Sequence, residues 1–140
     1  LLPEREWLNA KIIDVKYEYA MYQGLPQYIT DQEGNNLLDD DGQPIQRRVF
    51  NITFEMSDYF LSNSNPRKTW LKLGASLSLK SNLNSFLNNL SIEVLPDMTA
   101  RDIISSLVGT EVKLQLKNKA STKDKTKIYQ NVVFDAVKKR

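Results

Sequence analysis

The 140-residue chain contains neither cysteine nor histidine. Those two absences remove disulfide staples, thiolate and imidazole metal sites, the commonest general base, and every triad built on His or Cys. Carboxylate, lysine, tyrosine and hydroxyl chemistry remains. The acidic run Asp39-Asp40-Asp41-Gly42 has the oxygen chemistry of a calcium ligand set. It lacks the alternating ligands and the distant bidentate Glu of an EF-hand loop, so it reads as a solvated turn. Asp14, Glu18, Glu55 and Asp58 are the acid–base candidates, but no spacing forces two of them together, and surface ion pairing is their simpler use. There is no phosphate-binding glycine loop. The chain therefore reads as a binding protein rather than an enzyme, with no cofactor or metal.

The binding chemistry lies in cations and rings. Residues 1–66 carry 5 Lys/Arg and 11 Asp/Glu, whereas residues 67–140 carry 14 and 6, giving net charges of −6 and +8. A basic half beside an acidic one points to an anionic partner, because lysines and arginines that neutralise phosphates release condensed counterions. Strand phase nominates Arg47, Lys72, Lys113 and Lys117 as outward cations, Lys119, Lys123, Lys125 and Lys127 as the crown of one loop, and Trp70 and Tyr129 as outward rings. Cations track a phosphate backbone while exposed rings stack on bases, each stack being worth about 1 to 3 kcal/mol. Tyr17 and Tyr19 are further stacking candidates. Plainer uses stand beside these. Trp70 can pack under a helix, the lysines can guard a hairpin tip against edge pairing, and Tyr17, Tyr19, Tyr22 and Tyr28 can serve as scaffold.

The elements that must hold these groups are legible from periodicity. Residues 7–22 form one long β segment whose apolar phase is even at Leu8, Ala10 and Ile12 but odd at Ile13, Val15, Tyr17 and Tyr19. A period of two changes face in that way only at a bulge, placed here at Ile13 and Asp14. Residues 23–45 are dense in Gly, Pro, Asn and Asp and read as a long loop with a ragged hairpin around Tyr28 and Ile29. Residues 46–57 alternate with Phe50, Ile52, Phe54 and Met56 inward, and residues 69–75 follow with Leu71 and Leu73 inward. Leu83, Phe86, Leu87 and Leu90 fall at helical spacing over residues 82–91, behind the cap candidates Ser81 and Asn82. Thr99-Ala100-Arg101-Asp102 approximates a capping box before Ile103, Ile104 and Leu107, and Gly109 closes that helix. Residues 110–117 place Val112, Leu114 and Leu116 inward. Residues 128–137 place Ile128, Val132, Phe134 and Ala136 inward, and the Lys-rich loop 118–127 joins the two strands. No internal repeat or low-complexity tract interrupts this order.

Length and composition fit one domain over residues 1–140, with a hydrophobic fraction of 41% and a charged fraction of 26% in the ordinary globular band. No run approaches the roughly 18 apolar residues of a spanning helix, so no membrane partner is expected. The lack of cysteine suits a reducing cytosol. The first residues, Leu1-Leu2-Pro3, contain no initiator Met, which leaves open both preceding residues and a cleaved leader.

Three strands, a helical segment over residues 80–108, and a closing hairpin make a mainly β chain with the strand plan of the five-stranded OB barrel. That fold binds oligonucleotides on its second and third strands and in the loops between strands one and two and strands four and five. Several stretches also resemble phage and prophage single-stranded-DNA-binding proteins of the OB fold: Leu2-Pro3-Glu4 with Leu8-Asn9-Ala10-Lys11-Ile12, Val49-Phe50-Asn51-Ile52-Thr53-Phe54-Glu55, Trp70-Leu71-Lys72-Leu73-Gly74, and Leu107-Val108-Gly109-Thr110-Glu111-Val112. The resemblance spans most of the chain and rests on spacing and residue class. It implies protection of single strands in the replication or recombination of a mobile element, replication or recombination proteins as further partners, and the cytoplasm of a host cell. Edge strands leave homo-oligomers open. Two rival readings are a protein-interaction or structural module of a phage-like assembly, and a hydrolase using carboxylates and a divalent ion.

Overall fold

The computed structural model describes residues 2–121, 123 and 126–140. Its elements run β1 (Leu8–Tyr19), β2 (Met21–Tyr22), β3 (Leu25–Pro26), β4 (Arg48–Phe60), β5 (Pro66–Gly74), α1 (Asn82–Asn89), α2 (Ala100–Leu107), β6 (Glu111–Ala120) and β7 (Ile128–Lys139). The five long strands form one antiparallel sheet in the order β5-β4-β1-β6-β7, and β2 and β3 form a separate ribbon. The outer strands β5 and β7 also touch, although no ladder joins them among the described residues. None of the described helices is long and apolar enough to cross a membrane.

The bend in β1 makes this order feasible. Leu8, Ala10 and Ile12 are buried, then Val15, and the register slips between Ile12 and Asp14. The extra residue lets one strand pair with β6 over Leu8–Lys11 and with β4 over Ala10–Tyr19, turning from one partner toward the other as bulges do. Phe50, Ile52, Phe54 and Met56 of β4 and Val112, Leu114 and Leu116 of β6 are all buried in one core, each large side chain contributing about 1.5–3 kcal/mol. Leu83, Phe86 and Leu87 of α1 and Ile103 and Leu107 of α2 join the same core. Ser81 Oγ accepts from the Asn84 backbone N–H at 3.1 Å. Thr99 and Asp102 form the reciprocal capping box, a feature worth about 1 kcal/mol.

Several boundaries depart from the periodicity. β1 stops at Tyr19, and β4 begins at Arg48 and continues to Phe60. β6 runs on to Ala120, so Asn118, Lys119 and Ala120 pair with Gln130, Tyr129 and Ile128, and the basic loop shortens to residues 121–127. In β7 the inward phase breaks. Leu116 faces Val132 while Leu114 faces Val137, a step of two residues on β6 against five on β7. The surplus residues bow out of register, so Val137 is buried where Ala136 was expected, Phe134 and Ala136 are half-buried, and Ile128 is exposed.

The segment expected as a loop over residues 23–45 is an ordered arm. Asp31 Oδ1 accepts from the N–H groups of Glu33 and Asn35, and Asp39 Oδ1 accepts in the same way from Asp41 and Gln43. Gly34 and Gly42 supply the left-handed residue of each turn at φ 85° and 79°, a region that costs other residues about 1–2 kcal/mol. The two turns are a tandem eight-residue repeat, contrary to the reading of no internal repeat; it escapes notice because little beyond the Asp and the Gly recurs. The backbone then closes on itself: Ile29 donates to Ile45, Ile45 to Leu37, and Leu37 back to Ile29. Ala20, Arg47 and Gln27 form a second ring of the same kind. These rings pair peptide groups that the arm's strands, too short for a regular ladder, would otherwise leave to water.

Candidate functional site

The core phase of β6 sends Lys113, Gln115, Lys117 and Lys119 to the outside. The register sets Lys138 opposite Lys113, Asn131 opposite Lys117, and Tyr129 opposite Lys119. Across the other edge of β6, Asn9 faces Lys113. Trp7 precedes Asn9 by two residues and is 46% exposed, and the Lys138 Nζ lies 4.1 Å from its ring centroid. Lys113 and Lys138 are thus like charges directly opposed, an arrangement that destabilises a sheet. Glu111, two residues before Lys113 on β6, is already held by Arg140 at 2.8 Å. Lys113, Lys117, Lys119 and Lys138 have no ion-pair partner among the described residues. Beyond the strand ends, Lys123 and Lys127 are exposed in the turn; Lys125 lies outside the described residues.

On the other side of β1, the outer face of β5, β4 and β1 is built in rows. Trp70, Thr53 and Asp14 align in one row, Lys72, Asn51 and Lys16 in the next, and Lys68, Glu55 and Lys11 in a third. Trp70 is 57% exposed, so it is not packed under α1. It lines a shallow groove of about 550 Å³ with Leu61, Arg67, Lys68 and Glu55. This face mixes signs: Glu55 stands between Lys68 and Lys11, and Lys16 lies two residues from Asp14, while the row Lys72, Asn51 and Lys16 holds no carboxylate. The buried Asn51 Oδ1 between Lys72 and Lys16 has no hydrogen-bond partner in the protein.

A third region lies where β1 ends and β4 begins. Arg47 sits just before β4, and its Nε donates to the Tyr28 carbonyl at 3.1 Å. The neighbouring Arg48 lies 3.9 Å from the Tyr19 ring centroid and 5.0 Å from that of Tyr17, and donates to the Tyr19 hydroxyl at 2.6 Å. Tyr17 in turn leans on Phe50, with centroids 5.0 Å apart. Arg47, Arg48, Tyr17 and Tyr19 share a groove of about 1090 Å³ with the arm residues Ile29 and Asp39.

The predicted residues therefore fall into three places. Lys113, Lys117, Lys119 and Tyr129 come together on the β6–β7 face, Trp70 and Lys72 lie on β5, and Arg47 stands in the groove at the strand end. β4 and β1 intervene between β5 and β6 in the hydrogen-bonded order. Sequence reasoning missed Trp7, Lys138, Lys16, Lys68 and Arg48. The phase of β1, with Asn9 and Lys11 outward, carried a signal for Trp7; nothing local announced Lys138, which lies 131 residues away. No protein-family model matches the chain, and a comparison with curated proteins likewise finds no match.

Proposed function

We propose that this protein is a non-catalytic single-stranded-nucleic-acid-binding protein built on an OB-type barrel, acting on single-stranded DNA in phage or mobile-element replication or recombination, in the host cytoplasm. The element order supports the barrel, as do the sheet order β5-β4-β1-β6-β7 and the contact between its two edge strands, because five strands whose ends meet are what that architecture requires. The observation that carries the binding is the row of lysines without an ion-pair partner among the described residues, Lys113, Lys117 and Lys119, faced by Lys138 and the exposed Tyr129. Folding gains little from crowding like charges on one face. A polyanion relieves the repulsion and releases its own counterions, while rings beside the cations accept bases of any sequence.

The test is a titration of single- and double-stranded oligonucleotides, followed by fluorescence anisotropy at 50 and 200 mM salt. Tight binding of single strands that weakens steeply with salt is expected, and the absence of binding at low salt overturns the proposal. A second reading, a protein-interaction module, draws on the exposed Met21 and Tyr22 of β2 and Leu25 and Leu38 of the arm, apolar side chains near acidic turns. It gains ground if oligonucleotides fail to bind while changes in the arm abolish association with a protein partner.

A further inference from the structure

The chain contains two tryptophans, and both indoles are exposed on the outside of the sheet beside cations. From this we infer that Trp7 is a base-stacking station of the β6–β7 face, with Lys138 and Lys113 holding the phosphates on either side of the stacked nucleotide. The inference rests on the single-strand reading above and adds a site to it. An indole with a lysine at one ring face offers a base the other face, and the ammonium group can turn from the ring quadrupole to a phosphate, which attracts it more strongly. The surroundings favour an anion. Lys113 and Lys138 oppose each other across β6 and β7, Lys117 continues the row, and the nearby Glu111 is neutralised by Arg140.

The register also separates the two indoles. Trp70 is level with Asp14 through Thr53, two strands from β1, and Trp7 lies seven residues before Asp14. Measured along the sheet, this is about 20 Å in the strand direction and about 10 Å across it. The two rings are separate stations, and one base cannot touch both. Trp7 therefore stacks on a nucleotide independently of Trp70, and each ring reports its own site.

Two single-tryptophan proteins test this. In Trp70→Phe the emission comes from Trp7, and in Trp7→Phe it comes from Trp70. Titration of Trp70→Phe with a thymidine 20-mer is expected to quench the remaining indole. Trp7→Leu is expected to bind about 5- to 150-fold more weakly, with Trp7→Phe largely retaining affinity because a ring remains to stack. Lys138→Gln is expected to lower the slope of log affinity against log salt by about 0.7 without lowering the melting temperature, since it also removes a like charge opposite Lys113. Quenching of Trp70 with none of Trp7, or parental affinity in Trp7→Leu, overturns the Trp7 station and leaves the single-strand reading standing. If the unaltered protein binds no 20-mer at low salt, it is the functional reading itself that fails.

Discussion

The two outer faces of the sheet use the same ingredients, an indole and several lysines, with opposite electrostatic results. On the Trp70 face, Glu55 stands between Lys68 and Lys11 and Asp14 lies two residues from Lys16, so the two carboxylates offset about half of the charge of Lys11, Lys16, Lys68 and Lys72. On the Trp7 face, Glu111 lies two residues from Lys113 but is held by Arg140, and Lys113, Lys117, Lys119 and Lys138 face no carboxylate across the β6–β7 ladder among the described residues. A face with acids set among its cations carries less repulsion than one whose cations face each other, and an external anion relieves what remains. Counting lysines alone ranks the two faces as equals; counting the acids beside them does not.

The comparison presupposes that both faces ride on one core, and the largest expected effect tests that. Leu114→Ala empties a fully buried position under β6 and is expected to lower stability by about 2–5 kcal/mol in urea unfolding, while the molecules that remain folded bind as before. Next comes the contrast itself. Lys113→Gln/Lys117→Gln/Lys119→Gln is expected to weaken single-strand binding about 100-fold at 0.1 M salt and to flatten the salt dependence by about 2 in slope. The matched change on the other face, Lys16→Gln/Lys68→Gln/Lys72→Gln, is expected to weaken it less than about 10-fold, because Asp14 and Glu55 already offset part of that charge. Equal losses from the two triples, read by anisotropy, break the distinction between the faces.

Smaller effects sharpen it. Gly42→Ala meets open space but a φ of +79°, so it is expected to cost about 1–2 kcal/mol in thermal unfolding with no change in oligonucleotide affinity, separating the arm from both faces. Arg140→Ala releases Glu111 from a partly exposed pair and is expected to change stability by less than about 1 kcal/mol. Its informative readout is affinity, which should fall slightly as a free carboxylate joins the lysine face.

Reading the chain along its length recovers what backbone geometry imposes locally. The alternation in β4 placed Phe50, Ile52, Phe54 and Met56 inside, the phase change in β1 located its bulge, and the Ser81 and Thr99 caps stand where their hydrogen-bonding chemistry suits a helix start. Two places resisted this. The arm looked like a loop because its order comes from rings of backbone bonds between Ile29, Leu37 and Ile45, which carry no side-chain period. β7 broke its own alternation because the residues between Val132 and Val137 fall out of register with β6, and that register is set by the pairing of two strands, not by a pattern within one.

What the residues alone determined is therefore which side chains β1, β4, β5 and β6 turn outward, the helix starts, and the absence of His and Cys chemistry. These follow from periods of 2 and 3.6 and from the functional groups themselves. What the tertiary structure decided is the company those side chains keep: Lys138 over Trp7, Lys113 against Lys138, Glu111 claimed by Arg140, and Trp70 two strands away among acids. Cross-strand neighbours are set by register between segments far apart in the chain. No local pattern encodes whether an outward lysine ends up beside a carboxylate, another lysine or an indole.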